Sequence, residues 1–327
     1  MKWLQTYTGF WRNLRLLHFI YNYINRQKLK RNKDLYKRFG IKKSVYSSIS
    51  SKDFIGKPNR LPWLDYPVTQ EKLMEHPVFM QFDKSIQTAL LGWHRNGFLV
   101  LPSFYNDNTI DKINQDIELL LETEMLQFNY TKKKVMNAFQ YSEIIRQTIQ
   151  DSRLKSILEF ILENPVIPFQ TINFIQGSEQ APHSDAIHMS TYPQGNLIAA
   201  WIALEDIQLE AGAIAYYPGS HQLPYLTNKD IGAKNNFLFL DANANLKHEI
   251  KTAKLIKDNN LKPSILTAKK GDVLIWHSNL IHGGLPIQNP KLTRKSMVTH
   301  YFTKDVICYH EISERPALIF YPNAQIF

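Results

Sequence analysis

Residues 181–190 read APHSDAIHMS, with His183 two positions before Asp185 and a second histidine, His188, five positions after the first. A His-x-Asp triplet is common in polar loops and decides little alone. In an extended segment, however, alternate residues point the same way, so His183 and Asp185 could offer two ligands to one ion. A third would have to come from a neighbouring strand. Residues 271–284, GDVLIWHSNLIHGG, supply candidates: a Gly-Asp turn, an apolar strand, then His277 and His282. Two imidazoles and one carboxylate compose the facial triad that holds Fe(II) on one side of an octahedron and leaves positions open.

Twelve residues past His282 stands Arg294, at the start of the strand-like run LTRKSMVTHYF (292–302). A guanidinium can clamp a carboxylate through two parallel hydrogen bonds, as anchoring the far end of 2-oxoglutarate requires. Other short apolar runs lie between Pro165 and Thr303: FQTINFIQ (169–176), LIAAWIAL (197–204), AIAYYP (213–218), SILTA (264–268) and VLIWHS (273–278). Their density, with Gly, Pro and Asn between them, predicts a sandwich or barrel and not a parallel sheet alternating with helices.

Upstream the period changes. Residues 83–104 predict a helix broken at Asn96-Gly97 and a strand over Phe98–Leu101. Residues 107–125, with apolar Ile110, Ile113, Ile117, Leu120 and Leu121 after an Asp-Asn start, predict a capped amphipathic helix. A further helix is expected over 151–162. The span at about 225–262, rich in Asn, Lys and Asp, reads as an insertion or lid. No Gly-rich phosphate loop is found in the sequence.

The 327 residues are 44% hydrophobic and 12% aromatic, enough for a substantial core. A single cysteine, Cys308, excludes an internal disulfide framework and a cysteine zinc site, and fits a reducing, cytoplasmic setting. Residues 1–45 carry twelve Lys and Arg against one acid, Asp34, hence +11; with +10 for the whole chain, the body is close to −1. The basic balance therefore does not point to nucleic acid; it belongs to an N-terminal extension. Residues 10–24, FWRNLRLLHFIYNYI, are too short and interrupted to span a bilayer. Trp11, Leu14, Phe19 and Tyr23 fall roughly on one helical face. The plainer reading is a helix packed on its own domain or a second subunit. The other is peripheral contact with the inner surface of an anionic membrane through residues 1–45. Domain organisation is read as an extension and connector over 1–78 and one domain over 79–327.

Four stretches in this order resemble the phytanoyl-CoA dioxygenase-like branch of the Fe(II)/2-oxoglutarate oxygenases: GWHRNGFLVLPSF (92–104), PHSD (182–185), WIALEDIQLEAGAIAYYPGSHQ (201–222), and GDVLIWHSNLIHGG with Arg294. The resemblance covers roughly residues 85–303. It implies a mainly β fold with flanking helices around a double-stranded β-helix, jelly-roll or cupin-like core. It implies that His183, Asp185 and His282 bind iron, that His277 is the non-ligating neighbour, and that Arg294 pairs with the C5 carboxylate of 2-oxoglutarate. Trp201 and Asn173 stand where the family has co-substrate contacts, and Lys134 and Asn137 where relatives place a co-substrate or substrate contact. Gly284 departs from the serine often found there. Asp185 favours hydroxylation over halogenation, since related halogenases have a small residue at its position.

The implied activity is a dioxygenase that uses Fe(II), 2-oxoglutarate and O2. It would hydroxylate an unactivated C–H bond of a small-molecule or lipid-linked substrate, releasing succinate and CO2. The alternative is a non-catalytic binding or scaffold protein that docks through its basic N-terminus; the intact triad and Arg294 weigh against it. Of the remaining histidines, His188 reads as a surface or loop residue, His221 as structural in a turn, and His300 as a packed strand residue. Tyr192, Tyr216 and Tyr217 read as core or cavity wall.

Overall fold

Alternation along the strands sorts this chain into two apolar layers. The computed structural model describes residues 13–129 and 133–319, so Trp11 and the rest of the first twelve residues lie outside the described residues. The strands are β1 (Phe98–Leu101), β2 (Lys134–Met136), β3 (Val166–Phe174), β4 (Ser190–Tyr192), β5 (Leu197–Ala203) and β6 (Ile214–Tyr216). They continue as β7 (Ser264–Leu266), β8 (Val273–His277), β9 (His282–Gly284), β10 (Ser296–Thr303), β11 (Ile307–His310) and β12 (Arg315–Pro316). All pairings are antiparallel: a six-stranded sheet in the order β1-β8-β5-β10-β3-β2, and two three-stranded sheets, β12-β11-β4 and β7-β6-β9. With helices on one side, this is the mainly β, jelly-roll arrangement expected from the sequence.

On the large sheet Ile198, Ala200 and Ile202 of β5, Val273 and Ile275 of β8, and Met297 and Tyr301 of β10 share one face, packed with the flanking helices. Those helices include Asp107–Glu122, Glu143–Ile149 and Ser152–Leu162. The first buries Ile110, Ile113, Ile117 and Leu120, four residues of the predicted stripe, and the side chain of Asn106 caps it by accepting Thr109 N–H at 2.9 Å. Asp151 caps the last in the same way. The intervening residues Trp201, Leu274, Trp276, Val298, Ile172 and Phe174 face the other side, toward Ile214 and Tyr216 of β6. Each such buried side chain contributes on the order of 2 kcal/mol, so a one-residue slip that exchanged the faces would be very costly.

The N-terminal segment packs against the small sheet β12-β11-β4. Helix α1 (Arg15–Ile24) precedes α2 (Asn32–Arg38), whose Leu35 and Tyr36 join Ile49 and Phe54 over Tyr192, Ile307 and Tyr309. The span read as a lid contains a helix that its composition does not announce, α3 (Ala244–Asp258).

Candidate metal and co-substrate site

The chain brings its two histidine-bearing stretches together through an isolated antiparallel bridge between His183 and His282, which exchange both backbone hydrogen bonds at 2.9 Å. A ligand atom from each of His183, Asp185 and His282 then lies within 4.8 Å of the others. Both imidazole Nε2 atoms are 3.8 Å from Asp185 Oδ1. The Nδ1 atoms are 2.9 Å from Ala181 O and 3.0 Å from Leu280 O. With Nδ1–H donating to these carbonyls, each Nε2 carries the lone pair that a metal-binding imidazole needs, although that of His183 is met at 3.0 Å by the Gln180 amide nitrogen, which an ion would displace.

Asp185 is fixed from behind. Its Oδ2 accepts the Trp276 indole N–H at 2.8 Å and lies 3.3 Å from His300 Nε2, which leaves Oδ1 for the centre. Burial alone would raise its carboxyl, but the imidazoles of His282, His300 and His183 outweigh that and hold it well below the usual carboxylate range. Burial, reinforced by His282, keeps His183 neutral, as a ligand must be.

Around this cluster opens a cavity of about 690 Å³. Arg294 lines it, buried, with its guanidinium 5.2 Å from the centre of the Phe174 ring. Arg294 Nε has no hydrogen-bond partner, no carboxylate among the described residues pairs with the guanidinium, and burial lowers its pKa to about 10. Trp201 lines the same cavity with its indole N–H unpartnered. Lys134 is there too, bonded to Gln180 Oε1 at 2.8 Å; burial lowers its pKa, and Arg294 adds to the effect.

Not every expected residue joins the site. Asn173 stands opposite Met297 and Val135, both in the helix-side core, so it projects from the far face of β3 and does not line the cavity. Its expected co-substrate contact is therefore not formed; Ile172 and Phe174, its neighbours of opposite parity, line the cavity instead. Asn137 is likewise outside the lining, held by its N–H to Thr171 O. His277 turns away from the triad, its Nε2 3.2 Å from Asp65. His221 sits in its turn against Gly97, 3.0 Å from His94 O. By contrast His188 and His300, read as a loop and a packed residue, both line the cavity. So do Gln170 and, from α3, Asn245 and Glu249, which sequence reasoning missed. For His300 a signal was present: it keeps step with Val298, which pairs with Trp201.

Gly284 explains its own departure. A Cβ there would lie 2.5 Å from Ser178 Oγ and 2.9 Å from Glu179 N, so a serine has no room. Ser178 lines the cavity and places a hydroxyl beside the position where the family's serine would stand.

A family model described as phytanoyl-CoA dioxygenase matches residues 93–296. Phytanoyl-CoA dioxygenase domain-containing protein 1 of Danio rerio is 28% identical over 146 residues, 43% of this chain and 47% of that protein. Peroxisomal phytanoyl-CoA dioxygenase of Rattus norvegicus is 22% identical over 284 residues, 77% of this chain and 80% of that one. The chain spans about half the length, or less, of the domain-containing relatives it matches in four vertebrates. Among solved structures, EctD from S. alaskensis with 2-oxoglutarate and 5-hydroxyectoine shares the fold, with a TM-score of 0.57 at 15% identity over 81% of this chain and 89% of that one.

Proposed function

The chain belongs to the phytanoyl-CoA dioxygenase family, and from that premise we propose that it is an Fe(II)- and 2-oxoglutarate-dependent oxygenase that hydroxylates a C–H bond. The residues fit both groups. His183, Asp185 and His282 present two imidazole nitrogens and one ionised carboxylate oxygen to a single centre, a donor set suited to Fe(II) with open positions. The observation that carries the reading is Arg294: a buried guanidinium without an anion costs several kcal/mol, and it stands in the cavity beside the triad. A dicarboxylate satisfies it. Lys134 adds a second positive charge, and the indole N–H of Trp201 and the Ser178 hydroxyl offer donors along the same path.

When bound, Fe(II) supplies the oxidative decarboxylation of 2-oxoglutarate by O2, which yields succinate and CO2 and oxidises the substrate. The chain's own part is positional. Trp276 and His300 keep Asp185 from swinging away, Arg294 and Lys134 fix the co-substrate's far end, and the apolar floor of Ile172, Phe174 and Val298 keeps water from the reacting carbon.

Besides its apolar residues the cavity is lined by the polar Gln170, His188, Asn245, Glu249 and His310. A pure hydrocarbon would strip water from those of these groups that the fold leaves without a partner, at about 1–3 kcal/mol each. The substrate we infer is therefore a small or lipid-linked molecule with hydrogen-bonding groups near the oxidised carbon. Succinate formation from 2-oxoglutarate with Fe(II) and ascorbate tests the reaction class. Turnover abolished by His282→Ala is expected; no turnover in the wild-type chain would favour a binding protein that kept the barrel.

A further inference from the structure

Helix α1 is inside out. Its inward face carries Arg15, which pairs with buried Glu314, then His18, and Asn22, which donates to Tyr46 O at 3.2 Å. Its outward face carries Leu16, Leu17, Ile20, Tyr21 and Ile24, with Leu16 63%, Ile20 44% and Ile24 67% exposed. A helix that only packed on its own domain would bury that stripe and turn its polar side to water. A second apolar element is pinned to its start: Arg15 N–H donates to Leu238 O, and Leu14 bridges Phe239, which fixes the loop tip where Phe237 is 90% and Leu238 54% exposed. Glu314 ties the two together, pairing with Arg15 and accepting from Asn235 at 2.7 Å.

We propose that α1 and the Phe237–Leu238 tip form one surface that docks on a membrane rich in anionic lipid. Charge selects the occupant. Arg26, Lys28, Lys30 and Lys33 follow the apolar face directly in the chain and are exposed, within a segment that is +11 over residues 1–45. A second copy of the chain would set another +11 segment against the first, whereas anionic headgroups complement it. No helix among the described residues is long and apolar enough to cross a membrane, so the contact is peripheral.

The test is sedimentation of the full chain with vesicles of phosphatidylcholine alone or with about a third phosphatidylserine. Binding is expected only to the mixed vesicles and is expected to weaken at high salt. The triple substitution Leu16→Glu, Ile20→Glu, Ile24→Glu should weaken it by at least about tenfold, and Phe237→Ser alone by severalfold. These sites are exposed, so an unchanged melting temperature confirms the fold. Deletion of residues 1–45 is a poorer test, since it removes Leu35 and Tyr36 from the packed cluster over Tyr309. No binding to mixed vesicles, or equal binding by the triple variant, overturns the proposal. So does a dimer in ultracentrifugation that the substitutions split, which would make the face an interface between copies. The assay needs no turnover and is independent of the oxygenase reading.

Discussion

Arg294→Met should make the protein more stable and its co-substrate binding much worse. In the free chain the guanidinium is buried without an anion, and burial lowers its pKa to about 10. That drop from the ordinary guanidinium value corresponds to roughly 3 kcal/mol against the charged form, at about 1.4 kcal/mol per tenfold. Exchanging an uncompensated buried charge for an apolar side chain of similar length removes this penalty, and gains of about 1–4 kcal/mol are typical. At about 2 °C per kcal/mol for a chain of this size, the melting temperature of the metal-free protein should rise by roughly 2–8 °C. Losing one partner of a buried charge pair costs about 2–5 kcal/mol of binding, roughly 30- to 4,000-fold in the Kd for 2-oxoglutarate. The two halves are read separately, by a thermal melt without ligand and by anaerobic titration of the Mn(II)-loaded protein. A variant that melts lower than wild type would show that Arg294 is held by the fold itself. A variant that binds 2-oxoglutarate as before would remove the clamp from the site.

Three further outcomes follow from the same geometry. Gly284→Ser drives a Cβ into Ser178 Oγ and Glu179 N, so it should cost about 1–3 kcal/mol of stability; Ser178→Gly added to it should restore part of the loss in a urea melt, and no rescue would mean that the clash lies elsewhere. Trp276→Phe keeps the ring but deletes the N–H that Asp185 accepts, so Co(II) affinity should fall by on the order of tenfold or more with little change in fold; unchanged affinity would make the indole a packing residue only. Burial holds His248 and His310 down to about 4, whereas in the unfolded chain they titrate at ordinary histidine values. The contribution of these two groups is therefore full above about pH 6.5 and is lost as the pH drops toward 4, because the unfolded chain takes up protons first; a melting temperature that stays flat across this window would refute it.

The metal end of the site was legible because coordination chemistry dictates residue types at fixed offsets. His-x-Asp, a distant His and an Arg twelve residues later can be read without any fold. The fold then had only to bring His183 and His282 into register, which one backbone bridge accomplishes. The main strands were legible for a similar reason, as β5, β8 and β10 are apolar runs between turn residues. Asn173 was carried over from the resemblance, without regard to its parity on the strand. On β3 a shift of one residue exchanges the cavity for the helix side, and Asn173 falls in step with Met297, not with Trp201. His300 was undervalued by the same neglect, since its parity with Val298 already put it on the cavity side.

The substrate end obeys a different logic, which explains why composition hid it. Helix α3 has to serve three surfaces at once. Asn245 and Glu249, four residues apart, line the cavity; His248 and Thr252, again four apart, are buried; Leu246 and Ile250 face outward at 55% and 62% exposure. A helix that buries His248 and Thr252 and turns polar residues to the cavity while exposing Leu246 and Ile250 has no ordinary hydrophobic stripe, so its sequence resembles a solvated loop. The same inversion occurs in α1. A helix folds this way only if neighbours satisfy its polar side, as Glu314 and Tyr46 do for α1, and the apolar side is then left for something outside the chain. The residues hardest to read from sequence are thus those whose partners, a substrate or the membrane proposed above, are not part of the sequence.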